Sequence, residues 1–264
     1  MNVYHLNCGT LHPYYPRFTA VIYCLLLELE EGLILIDTGI GQEDYLDPSP
    51  KMRLFKMMVG VSGDVDEAAA RQIEAMGYTP HDVKDIVLTH LHLDHAGGLP
   101  DFPCARVHIY GKEYEAGMNR LGLMSWAYDA RHWAHGPDWV IHDRPEEDWF
   151  GFPSLRIWED REPEIRLIPL PGHTRGHCAV AIQDEDGWLL HCGDAASPYH
   201  PASDVFDVGR ENYLMSWLPA GFVGWFHGHH APKLRRLLEE HADKIKAFSA
   251  HDVFSLAENR KRKS

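Results

Sequence analysis

The stretch T-H-L-H-L-D-H-A-G-G, Thr89 to Gly98, sets three histidines and an aspartate within the six residues His90 to His95. It follows Asp85-Ile86-Val87-Leu88-Thr89, an apolar run that reads as a buried strand. In extended chain, side chains alternate every residue, so His90 and His92 point the same way and can reach one ion. Asp94 and His95, in the turn that follows, can reach a second. Gly97-Gly98 then lets the backbone turn away sharply. Zinc takes nitrogen and sulfur donors in a tetrahedron and accepts carboxylate oxygen, so these residue types suit it. A single His-x-His pair would be equally at home in a surface loop. All four residues at this spacing, behind a strand, point to a metal site.

That run is half of a centre, and three later segments offer the rest. Leu170-Pro171-Gly172-His173-Thr174-Arg175-Gly176-His177 follows a strand pattern, the run Leu189 to Ala195 ends a strand at Asp194, and Phe248 to Asp252 ends another at His251. Loops gathering at one edge of the sheets are the usual way such a site is built in an α/β sandwich. His177 is read as supporting its loop. A second histidine cluster, Phe226-His227-Gly228-His229-His230, has neither a strand end nor an acidic partner and is read as surface loop.

Outward from the motif, Val21 to Leu29 and Leu33 to Asp37 read as a hairpin turning at Glu31-Gly32. A helix is expected over Val65 to Met76, with Asp64 and Glu67 as a capping box and Gly77 as its stop. Thr79-Pro80 opens a short helical turn. Arg106 to Tyr110 reads as strand and Gly111 to Asn119 as helix. Ile165 to Leu170, Cys178 to Ile182 and Trp188 to Cys192 resume strand patterning, a helix follows Pro232, and Ala247 to Ala250 is the last strand. Between them, residues 120–160 hold five of the eight tryptophans and sustain no period. This segment reads as an insertion or lid that covers the sheet, lines an apolar cleft or forms a homodimer contact. Strands followed by strand–helix alternation, twice over and without a linker, imply one αββα-like domain over residues 1–264.

Composition narrows the function. With 45% hydrophobic and 24% charged residues, the 264-residue chain can bury a sizeable core. Its 25 basic against 39 acidic side chains leave a formal charge of −14, which disfavours nucleic acid as a partner. Arg260 to Lys263 is a solvated basic end. Five scattered cysteines without a C-x-x-C pair argue against a disulfide framework and for a reducing compartment. No signal-peptide pattern is read at Met1 to Thr10, and no run is long enough to span a bilayer. The expectation is a soluble, cytoplasmic protein acting on a small molecule.

The order His90-x-His92-x-Asp94-His95, His173, Asp194, His251, together with the Leu33 to Gly39 stretch "LILIDTG", resembles the metallo-β-lactamase superfamily. Within it the chain looks most similar to the N-acyl homoserine lactone lactonases, on "GYTPHDVKDIVLTHLHLDHAGG", "EYEAGM" and the closing "AHD". The resemblance covers nearly all the chain except roughly residues 112–164. It implies a four-layer αββα sandwich and two divalent metal ions, zinc first, with iron, manganese or cobalt as alternatives. By the same resemblance His90, His92 and His173 hold one ion, Asp94, His95 and His251 the other, and Asp194 bridges both. Asp94 and Asp194 would be catalytic, with a hydroxide between the metals as nucleophile and Asp94 orienting it or shuttling its proton. Asp37 would orient a histidine ligand from behind.

The implied reaction is opening of a lactone or ester with an apolar or acyl portion, with quorum quenching as its setting. Two departures stand out. Ser197 occupies the position of a substrate-binding tyrosine, the nearest tyrosine being Tyr199, and Arg175 replaces a proline. Phe55, Met58 and Trp126 are the candidate acyl-pocket residues, with Met52, Leu54, Met57 and Val59 equally readable as core. Thioester, phosphotriester, phosphodiester or β-lactam cleavage on the same centre is the alternative, and a redox or sensing scaffold a further one. Flavin-partnered di-iron members carry glutamate where this chain has His92.

Overall fold

The computed structural model describes residues 1–13, 19–121, 125–145, 147–195 and 230–261. Two six-stranded sheets face each other, with helices on the outside. The first runs β1 (Asn2–Leu11), β2 (Ala20–Leu29), β3 (Gly32–Ile36), β4 (Val83–Val87), β5 (Arg106–Tyr110) and β6 (Asp138–His142) in spatial order. It is antiparallel from β1 to β3 and parallel from β3 to β6. In the second sheet, β7 (Glu147–Trp149), β8 (Phe152–Arg156), β9 (Ile165–Pro169), β10 (Cys178–Asp184) and β11 (Gly187–His191) run antiparallel, and β12 (Ile245–Phe248) closes it parallel to β11.

The period-2 geometry of β2 explains why its apolar run is unbroken. Tyr23, Leu25 and Leu27 project between the sheets, where they meet Leu167, Val180 and Phe248 of the second sheet. Cys24 and Leu26 project the other way, into a layer shared with helices α2 (Pro50–Val59), α3 (Ala69–Ala75) and α5 (Gly111–Asn119). A strand buried on both faces has no polar side to show. The outer face of the second sheet is covered by α6 (Ala231–Glu240), whose Leu234 and Leu237 pack on Ile168, Ala179 and Leu190. Helix, sheet, sheet and helix make the four layers expected.

Two sequence expectations change, and one stretch without an assigned element gains one. The helix over Val65 to Met76 divides into a 3-10 turn at Val65–Glu67 and helix α3, because Ala68 takes extended dihedrals (φ −58°, ψ 137°). Asp64 does cap, accepting from Asp66 N–H, but Glu67 leaves the capping box to accept from Thr10 N–H, Thr10 Oγ1 and Ser62 Oγ. Long-range donors outcompete the local one here. A true capping box forms instead at Thr79 and Asp82. The tryptophan-rich stretch is not all insertion or lid: β6 forms an edge of the first sheet, and β7 and β8 extend the second. Finally, Met52 to Val59 is helical, capped by the Ser49 hydroxyl, with Pro50 in its first turn and Gly60 in the left-handed region at its end.

All five cysteines are free thiols. Among the described residues no helix is long and apolar enough to cross a membrane.

Candidate metal centre

Four loops at one edge of the two sheets carry the candidate ligands, and backbone hydrogen bonds tie those loops to one another. His90 and His92 follow β4, and Asp94 and His95 lie on the short helix α4 (Leu93–Ala96). His173 lies between β9 and β10, Asp194 just past β11, and His251 just past β12. Cys178 N–H donates to Thr89 O at 3.0 Å, joining the first loop to the second. Ala250 N–H donates to Gly193 O at 3.0 Å, joining the third to the fourth. Residues 161 positions apart along the chain, His90 and His251, are thereby brought into one cluster.

All seven sequence-predicted ligands converge. His90, His92 and His173 form one group and Asp94, His95 and His251 another, each with its donor atoms within 4.8 Å of one another. Asp194 stands between them. Its Oδ2 lies 3.0 Å from His173 Nε2 and 3.9 Å from His90 Nε2, while its Oδ1 lies 3.4 Å from His95 Nε2 and 3.3 Å from His251 Nε2. Asp94 Oδ2 lies 3.6 Å from His251 Nε2 and 3.9 Å from His95 Nε2. His92 Nδ1 faces His173 Nε2 at 2.9 Å.

The groups behind the histidines fix which nitrogen faces inward. His251 Nδ1 is 2.9 Å from Val21 O, which can only accept, so this nitrogen carries the hydrogen and Nε2 presents a lone pair. His95 Nδ1 donates to Asp37 Oδ2 at 2.8 Å with the same result. Thr89 donates its hydroxyl hydrogen to Asp37 Oδ2 at 2.7 Å, so its oxygen is left to accept from His90 Nδ1 at 3.0 Å. Three Nε2 atoms, each free to take a cation or a proton, therefore point into one space. His90 Nε2, His95 Nε2 and Asp194 Oδ1 are buried and have no hydrogen-bond partner among the described residues. Buried polar atoms are rarely left so, and a cation is the partner that lone pairs on nitrogen and carboxylate oxygen share. The donor set thus fits two divalent cations.

Burial and charge divide the five histidines into two sets, three held neutral and two beside carboxylates that attract a proton or a cation. Burial, helped by the neighbouring imidazoles, holds His90 well below the ordinary histidine range. Burial likewise lowers His92 to about 3 and His173 well below its ordinary value, against the pull of Asp194. These rings stay neutral, the form that binds a metal. For His95 and His251 burial is overcome by Asp194 and Asp94, and His251 is raised to about 9. Burial alone would raise Asp194, but His251, His95 and His173 hold it well below the usual carboxylate range.

Asp37 lies behind the candidate ligands, in contact with Thr89 and His95. It accepts from Thr89 N–H at 2.8 Å, Thr89 Oγ1 and His95 Nδ1, while its own backbone sits at φ +54°, a region non-glycine residues seldom occupy. The neighbouring Thr38 takes the backbone of the motif: its Oγ1 donates to His95 O and accepts from Gly98 N–H. Gly97 and Gly98 are not present for unusual dihedrals. Their φ values are −59° and −82°, and what they supply is space, since an added Cβ would lie 2.6 Å from Leu93 O or 2.8 Å from Thr38 O. His177 supports the site through Nε2, which accepts the Asp194 N–H at 2.9 Å. The repeated G-H-x-x-G-H spacing was the sequence signal for it.

Of the candidate pocket residues, Phe55 is a core side chain on the inner face of α2, at 8% exposure. Its burial against the first sheet replaces the pocket-lining expectation with a packing one. Met58 and Trp126 are exposed, at 52% and 36%. Ser197, Tyr199 and most of the Phe226 to His230 cluster lie outside the described residues.

The comparisons with known proteins agree with this geometry. The Metallo-beta-lactamase superfamily profile matches residues 19–240. A Mycobacterium tuberculosis protein described as a "probable metallo-hydrolase" is 42% identical over 196 residues, 74% of this chain and 62% of the relative, so the chain spans less than two thirds of that relative's length. The N-acyl homoserine lactonase of Bacillus thuringiensis is 29% identical over 185 residues, 66% of this chain and 64% of that one. Among solved structures, an N-acyl homoserine lactone hydrolase with N-hexanoyl-L-homoserine bound at its catalytic metal centre superposes with a TM-score of 0.66 at 19% identity, over 99% of this chain and 95% of that one. At that identity the likeness is one of fold. The chain belongs to the metallo-beta-lactamase superfamily.

Proposed function

We propose that this protein is a dinuclear metal-dependent hydrolase that opens a lactone or ester bearing an apolar acyl portion. One observation carries the reading: Asp194 turns one carboxylate oxygen to His90 and His173 and the other to His95 and His251. A carboxylate placed so is built to bridge two cations. His90, His92 and His173 would hold the first ion, and Asp94, His95 and His251 the second. Zinc suits this nitrogen-rich set, as would iron, manganese or cobalt.

When bound, two such ions supply an activated water and polarise a carbonyl oxygen. The chain's own residues do the rest. Asp37 and Thr89 lock the rings of His95 and His90, so the donor geometry needs no rearrangement during reaction. Asp94, buried and facing His251, is the carboxylate placed to take a proton from the water and return it to the leaving oxygen. Buried rings on the inner side exclude bulk water, and His251, at 22% side-chain exposure, is the most solvent-open of the seven.

Relatives named as N-acyl homoserine lactonases support the lactone class and an apolar acyl portion. The mycobacterial relative shares more identity and its description names no lactone, which keeps other bonds within the family's reach. The test is a panel of acyl homoserine lactones of graded chain length, simple esters, a thioester and a phosphotriester, assayed with the protein metal-loaded. Lactone or ester turnover is expected. Turnover of only the thioester or phosphotriester would reassign the bond, and no turnover of any would overturn the reading.

A further inference from the structure

Glu113 is a fully buried carboxylate that belongs to neither group of candidate ligands. It stands in the first turn of α5, and four donors converge on it from three segments. Oε1 accepts from Leu91 N–H at 3.0 Å and from Tyr128 Oη at 3.1 Å. Oε2 accepts from Thr174 Oγ1 at 2.6 Å and from Gly176 N–H at 3.1 Å. Leu91 lies between His90 and His92. Thr174 directly follows His173. Tyr128 pairs with His92 through a backbone bridge, their rings 5.2 Å apart.

The packing around α5 is shaped to allow this. An added Cβ on Gly176 would lie 2.0 Å from Glu113 N, and one on Gly117 would lie 2.5 Å from a methyl of Leu91. Both loops therefore press on the helix where only glycine fits. A buried carboxylate is costly, and a chain that keeps one satisfies it with several donors. Here the donors are the loop backbones that aim His90, His92 and His173.

We propose that Glu113 is a positioning residue that clamps the His90–His92 loop to the His173 loop and so sets the geometry of the first metal position, leaving the second untouched. The second position rests on other supports: Asp37 behind His95 and Val21 O behind His251. The inference depends on the dinuclear reading above, and its test separates the two.

The full chain, loaded with zinc, is challenged with graded chelator and the release of each ion is followed, in wild type and in Glu113→Ala, Glu113→Gln and Thr174→Val. Glu113→Ala leaves four buried donors without an acceptor, and release of one ion is expected at about 10- to 100-fold lower chelator, the range for loss of a group that orients ligands. The other ion should hold within about twofold. Glu113→Gln keeps one accepting oxygen and should fall between Ala and wild type. Thr174→Val removes one donor, keeps Glu113, and should weaken the same ion several-fold even if Glu113→Ala does not fold. Two ions released as in wild type from all three variants would overturn the clamp. Equal weakening of both ions would overturn it too, since that is the mark of general destabilisation. A wild type that holds fewer than two ions overturns the dinuclear reading itself.

Discussion

Asp37 Oδ2 lies 2.8 Å from His95 Nδ1, and the same oxygen accepts the Thr89 hydroxyl hydrogen at 2.7 Å. One carboxylate thus determines the tautomer of His95 directly and that of His90 through Thr89. Asp37→Asn tests this cleanly, because asparagine tolerates the φ of +54° and keeps the side chain's shape. An amide NH2 turned to His95 would make Nδ1 an acceptor and place the hydrogen on Nε2, where a ligand lone pair is needed. Metal affinity is expected to fall about 10- to 100-fold, read by chelator competition, with little change in thermal unfolding of the metal-free chain.

Asp194 is the only carboxylate among the described residues that faces both histidine groups. Asp194→Asn keeps the shape but removes the charge shared by the two cations. Hydrolysis of the best substrate is expected to fall by at least about 100-fold, or roughly 3 kcal/mol of transition-state stabilisation. Elemental analysis of the same variant should find fewer than two ions retained per chain.

How much of this was legible beforehand follows from the range of each signal. The candidate ligands of the first run sit within six residues behind a strand, a spacing legible without any long-range contact. His173, Asp194 and His251 were readable once their strand ends and order were recognised. Strand β6, Asp-Trp-Val-Ile-His, escaped because its sides are only partly covered and its residues follow no alternation. Helix α2 carried its signals, Ser49-Pro50 and Gly60, but four exposed or half-covered apolar residues obscured its buried face. Glu113 was invisible as a clamp, since its partners come from 15 to 63 residues away. One of three charged residues in a short amphipathic helix, beside Lys112 and Glu115, gives no hint of that.

Gly39, in the Asp37-Thr38-Gly39 turn, sits at φ +66°, and an added Cβ would lie 2.2 Å from Cys8 Cβ. Both the backbone and the neighbouring strand β1 forbid a side chain. Gly39→Ala is expected to cost about 2 to 4 kcal/mol of stability, measured by denaturant unfolding. A cost under about 0.5 kcal/mol would show that the turn relaxes freely.

Asp101 supplies a pH-dependent prediction away from the centre. Burial, with Asp44 and Glu43 nearby, pushes its carboxyl up from 3.8 to about 6, although Gln42 N–H donates to it. The folded chain then binds this proton more tightly than the unfolded chain. The resulting stabilisation is present at pH 4 and is lost as pH rises through about 6. Asp101→Asn removes the ionisation and should raise stability at pH 8 by on the order of 2 kcal/mol, with little effect at pH 4. Equal effects at both pH values would contradict the assignment.

Seven side chains from four loops converge on what we propose is one centre for two cations. The most direct test of that proposal is the metal content of the purified full chain after zinc loading and removal of loosely held ions, taken beside a His90→Ala, His95→Ala double variant. Wild type should retain two ions per chain and the double variant none. One ion or none in wild type, or two ions still held by the variant, would contradict it.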